Sequence, residues 1–479
     1  MTKDRNAFFI DNEWRKPSST RTFDIINAST GEKIASSPEA MEADVDAAVA
    51  AARRAFDGGK WAKAAPKERA AIMTKFTNSI TARAEDLART VSIQNGMPIS
   101  VSTALEGQFA AGLLQYYAGV AANMAGPEKR PSQMGRETIV EHSPLGVVAA
   151  IVPWNFPVTL ALSKVAPAMA AGCTVVIKPS PGTVLDSYLL AEAALEAGVP
   201  PGVLNWVPAD RDVGAYLVSH PGVDKVAFTG STAAGRAIAQ KCGALLRPVT
   251  LELGGKSAAI VLEDVDLDAF VQGIPMACML NNGQACYNGT RILAPKGIYN
   301  QVVDAVAGLA SSLVIGDALS PETHVGPMAS AAHRSRVEGY IAKGKQEARL
   351  VAGGGRPKNL TQGWFVEPTV FADVSNEAVI AREEIFGPVL SIISYEDEDD
   401  AVRIANNSEY GLGGSVWSSD TARATDIAER IVSGTIGVNG YMPSLGSPFG
   451  GVKSSGLGRE FAPETVSSYQ STKSIYIMG

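Results

Sequence analysis

The sequence is poor in the residues that build metal and disulfide sites. Four cysteines and four histidines occur among 479 residues, and none forms a C-x-x-C, H-x-H or H-E-x-x-H spacing. They are Cys173, Cys242, Cys278 and Cys286, and His142, His220, His324 and His333. We therefore predict no metal site, and we expect free thiols in a reducing cytoplasm.

Long apolar runs and an excess of positive charge are also missing. No apolar run reaches the ~18 residues of a membrane span, and Met1–Asn6 does not begin a basic and then apolar secretory signal. Lys and Arg number 42 against 49 Asp and Glu, so the net charge is −7. This balance disfavours a general nucleic-acid or anionic-membrane partner, and we expect neither.

The dinucleotide fingerprint G-x-G-x-x-G is absent as well, although strands and helices alternate along the chain. A length of 479 residues exceeds one hydrophobic core, so two or three domains are expected. The alternation after Val147 predicts an α/β fold with a parallel, doubly wound sheet. The predicted strands are 147–152, 174–177, 204–207, 225–228 and 249–253, and the predicted helices are 157–171, 183–197, 211–219 and 232–243.

Other parts of the chain frame this unit. Three helices are predicted before it, at 45–56, 66–95 and 100–123. Strands predicted at 137–143 and 466–477 leave the compact units beyond a connector at 126–134, and their free edges favour pairing with another chain. A second β/α unit is predicted from about Lys256 to Asn439, with strands 258–261, 389–394 and 435–438 and helices 266–280, 297–314 and 330–347.

Polar residues gather where the strands of the first unit end. Asn155, Lys178, Ser231 and Glu252 each follow or close an apolar strand, and parallel sheets bind ligands at the carboxyl ends of their strands. The turn from Gly230 into the next helix offers N–H groups and the Ser231 hydroxyl to a pyrophosphate. An ordinary β–α turn fits the same residues equally well.

One cysteine lies among amide and glycine residues, unlike a buried structural cysteine, which prefers apolar neighbours. Asn281-Asn282-Gly283-Gln284-Ala285 precede Cys286, and such a loop can expose N–H groups that lower a thiol pKa. Glu252 closes an apolar run before two glycines and is a candidate base. Asn155 stands between Pro153 and Pro157.

These motifs resemble the aldehyde dehydrogenase superfamily over nearly the whole chain. The resemblance is carried by Pro153–Pro157, Lys178–Ser180, Phe228–Ser231, Glu252–Lys256, Gly283–Cys286, Glu383–Pro388 and Pro448–Gly451. It implies two doubly wound, Rossmann-like β/α domains and a small β oligomerisation arm. It implies a dinucleotide-binding domain at 1–123 and 144–254, a catalytic domain at 255–453 and an arm at 124–143 and 460–479, in a homodimer or homotetramer.

The resemblance also implies the roles of the reacting groups. Cys286 would be the nucleophile, and the Asn155 amide with the Cys286 N–H would bind the oxyanion. Glu252 would activate the water that hydrolyses a thioester, which favours a free acid as product. Lys164 and Glu460 match a proposed proton relay, although a helix-face lysine and a surface acid are equally open interpretations.

The implied cofactor is NAD. Lys178, Ser180 and Ser231 would contact the nucleotide, while Glu384 and Phe386 would hold the nicotinamide ribose. The remaining predicted cofactor residues are Val152, Trp154, Gly214, Gly230 and Leu253. NAD-preferring relatives often carry a glutamate three residues after the lysine, and Pro181 stands there in this chain, so NADP is also possible.

The implied substrate tunnel has serine at positions 163 and 444, which are often aromatic in relatives that use small aldehydes. No arginine occurs in the set, so we predict a medium-sized apolar aldehyde: aromatic, terpenoid or medium-chain. The matched positions are Phe156, Leu160, Ser163, Leu280, Ala285, Tyr287, Met442 and Ser444. The alternatives are a semialdehyde dehydrogenase, a cysteine hydrolase without a redox cofactor, and a non-enzymatic protein that kept the fold.

Overall fold

A computed structural model describes residues 4–478. Its strands are β1 (Phe8–Ile10), β2 (Glu13–Arg15), β3 (Thr22–Ile26), β4 (Lys33–Pro38), β5 (Glu128–Pro131), β6 (Glu137–Pro144), β7 (Val147–Ile151), β8 (Thr174–Lys178), β9 (Leu204–Trp206), β10 (Lys225–Thr229), β11 (Val249–Glu252), β12 (Ala258–Val261), β13 (Arg291–Pro295), β14 (Arg349–Ala352), β15 (Thr369–Ala372), β16 (Val389–Tyr395), β17 (Gly414–Trp417), β18 (Gly437–Val438), β19 (Gly456–Leu457) and β20 (Gln470–Ile477).

The helices are α1 (Glu42–Asp57), α2 (Pro66–Thr81), α3 (Ala84–Asn95), α4 (Ile99–Ser102), α5 (Ala110–Ala122), α6 (Pro157–Ala171), α7 (Leu185–Glu196), α8 (Arg211–Ser219), α9 (Thr232–Ala244), α10 (Leu267–Ala277), α11 (Tyr299–Ser312), α12 (Ala331–Glu347), α13 (Val379–Arg382), α14 (Glu398–Asn406) and α15 (Thr421–Glu429). A π-helical segment, Thr103–Phe109, joins α4 to α5. Among residues 4–478, no helix is both long enough and apolar enough to cross a membrane.

The first sheet has eight strands in the order β19-β11-β10-β7-β8-β9-β1-β2. Its five central strands run parallel, as the alternation of strands and helices predicts. Strands β7, β8 and β10 are buried along their whole length, because helices cover both faces of a parallel sheet. The α/β fold with doubly wound sheets is therefore confirmed.

The second sheet has seven strands in the order β14-β15-β16-β13-β12-β17-β18. The predictions name only three of its members, and the last of these, 435–438, shortens to β18. Strands β13, β14, β15 and β17 lie outside the predicted set. Each has only four or five residues, and the apolar period of so short a run does not separate a strand from a helix. The domain boundaries stay a prediction.

The arm is a three-stranded antiparallel sheet in the order β20-β6-β5. Two predictions there are wrong. The segment 126–134, predicted as a connector, contains β5, which pairs with β6. The C-terminal strand begins at Gln470 and not at residue 466, because Pro463–Tyr469 forms a 3-10 helix with Val466 and Tyr469 buried.

The helical layer before the first sheet also differs from prediction. The single helix predicted at 66–95 breaks between Thr81 and Ala84, where the Arg83 guanidinium donates to the Ser79 carbonyl oxygen at 2.9 Å and so caps the end of α2. The helix predicted at 100–123 contains the π-helical segment. The spacing of apolar residues marks neither the break nor the π-helical turn, because it continues through both at a helical period.

Candidate active site

The register of the first sheet brings the predicted polar residues to one edge. Ile151 at the end of β7 pairs with Lys178 on one side and Phe228 on the other, and Thr229 pairs with Glu252. The residues that follow these strands therefore lie side by side, as expected for the carboxyl edge of a parallel sheet.

The loop before Cys286 is a tight left-handed turn. Asn281, Asn282 and Gly283 have φ values of 51°, 59° and 79°, which asparagine and glycine tolerate best. A side chain at Gly283 would lie 2.1 Å from the carbonyl oxygen of Gly387. The amide-rich composition of this loop therefore serves its backbone conformation.

Asn155 is tied directly to this loop. Its Nδ2 donates to the carbonyl oxygen of Gln284 at 2.9 Å, which places the amide two residues from Cys286. The carbonyl oxygen of Asn155 in turn accepts from Nδ2 of Asn281 at 2.9 Å and from Nδ2 of Asn95 at 3.2 Å. The second N–H of the Asn155 amide remains for a further acceptor, such as an oxyanion.

The predicted lowering of the Cys286 thiol pKa is wrong in this structure. Burial raises that pKa, and the carboxylates of Glu384 and Glu252 raise it further by opposing a second negative charge. The backbone N–H groups of Cys286 and Tyr287 act in the expected direction, but burial outweighs them. The thiol is thus protonated at neutral pH and needs a base.

Glu252 supplies a carboxyl of unusual character. It is 2% exposed, and neither of its oxygens has a hydrogen-bond partner among the described residues. Burial raises its pKa well above the ordinary value, and the charge of Glu460 acts in the same direction, against Lys164 and Arg459. A carboxyl with a raised pKa holds its own proton more readily, and once it has released that proton it is a stronger base than an ordinary carboxylate.

Lys164 and Glu460 form a fully buried ion pair of 2.7 Å. The Lys164 ammonium also donates to Thr229 Oγ1 at 2.6 Å, and the Ser163 hydroxyl donates to the other oxygen of Glu460 at 2.8 Å. The interpretations as a helix-face lysine and a surface acid are therefore wrong. The pair lies close enough to Glu252 for both charges to influence its pKa.

A groove of about 310 Å³ opens on one side of the cysteine. It brings together the predicted residues Trp154, Asn155, Gly230, Ser231, Leu253, Cys286, Glu384 and Phe386, with Pro153, Thr229, Gly254, His333 and Arg336. Burial raises the pKa of Glu384 to about 7, while Gly255 N–H donates to its carboxyl at 2.9 Å.

His333 and Arg336 were not predicted as site residues. Both lie on α12, far along the chain from the other groove residues. The His333 ring nitrogen lies 2.6 Å from the carbonyl oxygen of Phe386, whose φ is 64°, and its ring meets Trp154 edge-on at 5.0 Å. Arg336 donates to the Glu384 carbonyl oxygen at 2.8 Å. No local sequence signal marks either residue.

Four predicted cofactor residues lie beside this groove and not in its lining: Val152, Lys178, Ser180 and Gly214. The Lys178 ammonium is buried and donates to the carbonyl oxygens of Pro179 and Ala209, each at 2.8 Å. Burial lowers its pKa to about 8. Gly214 leaves it space, since a side chain there would come within 3.2 Å of the Lys178 Cδ.

An apolar cavity of about 70 Å³ opens on the other side of the cysteine. Its lining includes the predicted Phe156, Leu160, Tyr287 and Met442, together with Leu105, Phe109, Asn155, Thr159, Cys286, Pro443, Phe449 and Phe461. Leu105 and Phe109 belong to the π-helical segment, which carries no sequence signal for a binding role.

The other four tunnel predictions fall outside this lining. Ser163 is fully buried and turned to Glu460, while Leu280 and Ala285 are buried in the core around the cavity. Ser444 is exposed in the loop after Met442. The expectation that serine at position 163 widens the tunnel does not agree with this placement, because its hydroxyl is engaged by a carboxylate.

The polar groove offers the donors that a dinucleotide needs. Ser231 caps the N-terminus of α9, where backbone N–H groups point outward. The Lys178 ammonium donates two of its three N–H groups to carbonyl oxygens, so the third can donate to a hydroxyl of the dinucleotide. A side chain at Gly254 would lie 2.5 Å from the Glu384 carboxyl, so glycine keeps this wall open. These residues fit a nicotinamide dinucleotide.

Comparisons with known proteins agree with this geometry. Geranial dehydrogenase of Castellaniella defragrans is 60% identical over 479 residues, which is 100% of both chains. An aldehyde dehydrogenase of Mycobacterium tuberculosis complexed with NAD+ superposes with a TM-score of 0.97 at 45% identity, over 100% of this chain and 99% of that chain.

A mutant of aldehyde dehydrogenase C from Pseudomonas syringae, complexed with NAD+ and octanal, superposes with a TM-score of 0.95 at 39% identity, over 98% of this chain and 96% of that chain. The model of the Aldehyde dehydrogenase family matches residues 14–475. A thiol, an amide donor and a buried carboxyl thus lie together beside the groove, and this chain belongs to the aldehyde dehydrogenase family.

Proposed function

We propose that this protein oxidises an apolar aldehyde of the terpenoid class to its carboxylic acid, with NAD+ as the hydride acceptor. One observation carries the proposal. Cys286 and Asn155 line both the polar groove and the apolar cavity, so they stand where the two spaces meet. An aldehyde entering through the apolar cavity reaches the thiol beside a site for the dinucleotide.

The reaction begins at the sulfur of Cys286. Glu252, whose charge acts on the Cys286 thiol, accepts the thiol proton and passes it to solvent, and the thiolate then adds to the aldehyde carbon to form a thiohemiacetal. The free N–H of the Asn155 amide and the backbone N–H of Cys286 receive the developing oxyanion. Because Asn155 is held by the Gln284 carbonyl at 2.9 Å, this donor is oriented before the substrate arrives.

A bound nicotinamide dinucleotide would supply the hydride acceptor that is needed to oxidise the thiohemiacetal on Cys286 to a thioester. Lys178, Ser180 and Ser231 would hold its adenosine and phosphate portions, and Glu384 and Phe386 would hold its nicotinamide ribose. Trp154, His333 and Phe386 form an aromatic wall of the groove, with ring centroids 5.0 to 5.9 Å apart. This wall would cover one side of a bound nicotinamide ring with aromatic surface.

Glu252 is the base for hydrolysis of the thioester. Its carboxylate has no competing partner among the described residues and can accept the proton of a water molecule. The buried Lys164–Glu460 pair tunes this base, since Glu460 raises and Lys164 lowers its pKa. The product leaves as a free acid, and the Cys286 thiol is regenerated.

The cavity lining supports the substrate class. Most of its side chains are aromatic or aliphatic, Met442 adds an apolar thioether, and no side chain of the lining carries a charge. A semialdehyde carboxylate or a quaternary amine would lose its hydration there without gaining a countercharge. The 60% identical relative acts on geranial, and the structure at 39% identity holds octanal, both apolar aldehydes.

Assembly and location complete the proposal. We propose that the arm pairs with a second subunit in a dimer or tetramer, which is supported by its free strand edges and by the exposure of Tyr476 and Met478.

A cytoplasmic site of action is supported by the four cysteines, all of which are free thiols.

The test is a kinetic comparison of four aldehydes with the purified protein and NAD+. Geranial and octanal are expected to give NADH and the corresponding acids, with kcat/KM at least about 100-fold above that of succinate semialdehyde or betaine aldehyde. Cys286→Ala should form no NADH. A higher kcat/KM for either charged aldehyde would contradict the substrate class, and acid formation without NAD+ would contradict the oxidation.

A further inference from the structure

The C-terminus of α3 lies behind both catalytic loops. Asn95 is completely buried, and its Nδ2 donates to the carbonyl oxygens of Trp154 at 3.1 Å and Asn155 at 3.2 Å. Its Oδ1 accepts from the Met97 N–H at 2.9 Å, so the amide orientation is determined. One fully buried side chain therefore holds two consecutive carbonyl oxygens of the segment that presents the oxyanion donor.

The next residue holds the cysteine loop. The Gly96 carbonyl oxygen accepts from Nδ2 of Asn282 at 2.8 Å, and the Asn282 Oδ1 accepts from the Gly326 N–H at 2.7 Å. Gly96 has a φ of 81°, and a side chain there would lie 2.3 Å from the Pro327 carbonyl oxygen. Asn95 and Gly96 thus join two loops that are distant in sequence.

We infer that Asn95 is a positioning residue, which sets the Asn155 amide relative to Cys286. The inference rests on the proposed role of Asn155 as the oxyanion donor. Asn155 is the first residue after Trp154 in a loop without regular structure, so hydrogen bonds and not a helix or strand must hold its backbone. Asn95 from the end of α3 and Asn281 from the cysteine loop both donate to the carbonyl oxygen of Asn155.

Asn95→Ala keeps the side chains of Cys286 and Asn155 but removes the hydrogen bonds that hold the backbone of Trp154 and Asn155. A displacement of about 1 Å in an active site costs on the order of 100-fold in rate. We expect Asn95→Ala to lower kcat by about 10- to 100-fold. The dissociation constant for NAD+ should change little, because Asn95 reaches the groove only through the backbone of Trp154 and Asn155 and forms no hydrogen bond with the side chains proposed to hold the phosphates and riboses.

A matched control separates positioning from stability. Asn205 is equally buried, and its Nδ2 also donates to two carbonyl oxygens, those of Val175 and Gly202, while its Oδ1 accepts from the Asp11 N–H. It lies in β9, away from both cavities. Asn205→Ala should lower Tm as much as Asn95→Ala does and leave kcat within about twofold of the parent.

The double variant Asn95→Ala/Asn155→Ala gives the second readout. If Asn95 acts through Asn155, the double variant has the kcat of Asn155→Ala alone. Multiplicative losses would overturn the inference, as would an Asn95→Ala variant with the parent's kcat. Should Asn95→Ala not fold, Asn95→Asp keeps the shape and the acceptor for Met97 but removes both donors, and the same outcomes apply.

A crystal structure of the Asn95 variant tests the geometry without reference to turnover. The distance from Asn155 Nδ2 to the Gln284 carbonyl oxygen, 2.9 Å in the parent, is expected to lengthen or vary. An unchanged distance would overturn the inference. This readout holds even if the aldehydes named above are not substrates, and full activity of Asn155→Ala would refute the proposed mechanism instead.

Discussion

Glu252 shows how one buried side chain can be both costly and useful. A carboxyl without a hydrogen-bond partner destabilises the folded state, and proteins keep such groups where chemistry needs them. We predict that Glu252→Gln forms thioester but hydrolyses it slowly. Rapid mixing should show a burst of about one NADH per site followed by steady turnover reduced about 100-fold or more.

The control for this experiment is Glu429→Gln, an exposed glutamate at the end of α15. It should behave as the parent does. Steady turnover of Glu252→Gln at the parent's rate would remove Glu252 from the hydrolytic step.

Pro181 is the residue on which the choice of nucleotide depends. It follows the Lys178–Ser180 motif and presents no carboxylate to the ribose hydroxyls or to a 2′-phosphate. We predict that Pro181→Glu raises the ratio of kcat/KM for NAD+ to that for NADP+ by about 10-fold or more, since the new carboxylate repels the phosphate. A ratio unchanged from the parent would show that other residues discriminate between the nucleotides.

At the scale of elements, the left-handed turn before Cys286 is the most constrained. Gly283→Ala would require both an unfavourable φ near 79° and a side chain 2.1 Å from the Gly387 carbonyl oxygen. We predict a loss of at least about 100-fold in kcat together with a lower Tm.

Gly112 in α5 is the matched control, because a side chain there meets nothing within 4 Å. Gly112→Ala should raise Tm slightly, by the gain of about 0.5 to 1 kcal/mol that alanine brings to a helix interior. Equal activity of the two variants would mean that the turn does not constrain the thiol.

The π-helical segment carries a carboxyl whose titration affects stability. Glu106 accepts from the Val158 N–H at 2.7 Å and so caps the start of α6. Burial raises its pKa to about 8, and nearby Asp186, whose own pKa burial raises to about 7, adds to this effect. Both groups are protonated in the folded chain at a pH where the unfolded chain has released the protons.

The free energy of unfolding should therefore fall as pH rises between the unfolded and folded pKa values, up to about 7 for Asp186 and up to about 8 for Glu106. Each such group contributes about 1.4 kcal/mol per pH unit in that window. We predict that Glu106→Gln reduces this slope, so that its Tm relative to the parent increases as pH rises. Parallel Tm profiles for the two proteins would contradict the prediction.

At the scale of the whole molecule, the arm has the character of an interface. Tyr476 is 69% exposed and Met478 is 67% exposed in one subunit. We predict that Tyr476→Asp lowers the mass measured by light scattering, because a charge would oppose burial between subunits. Val314→Asp alters an exposed apolar residue outside the arm and should leave the mass unchanged. An unchanged mass for Tyr476→Asp would exclude this edge from the assembly.

Much of the architecture could be read from local patterns. The strands β7 to β11 were predicted within one or two residues, because each is an apolar run between turn residues, and the helix at 157–171 was predicted as observed. The reacting residues Cys286, Asn155 and Glu252 stand out because amides, glycines and a carboxylate interrupt otherwise apolar segments at the ends of these elements.

The sequence by itself determined the alternation of strands and helices, since backbone preference and apolar period are local properties. That alternation also determined the edge of the sheet where the polar residues lie, because they follow the carboxyl ends of the strands. Only the tertiary structure decided which distant residues join them: His333 and Arg336 from α12, Leu105 and Phe109 from the π-helical segment, and Asn95 from α3. It also decided the protonation of Cys286, because burial and neighbouring charge exist only once the chain has folded.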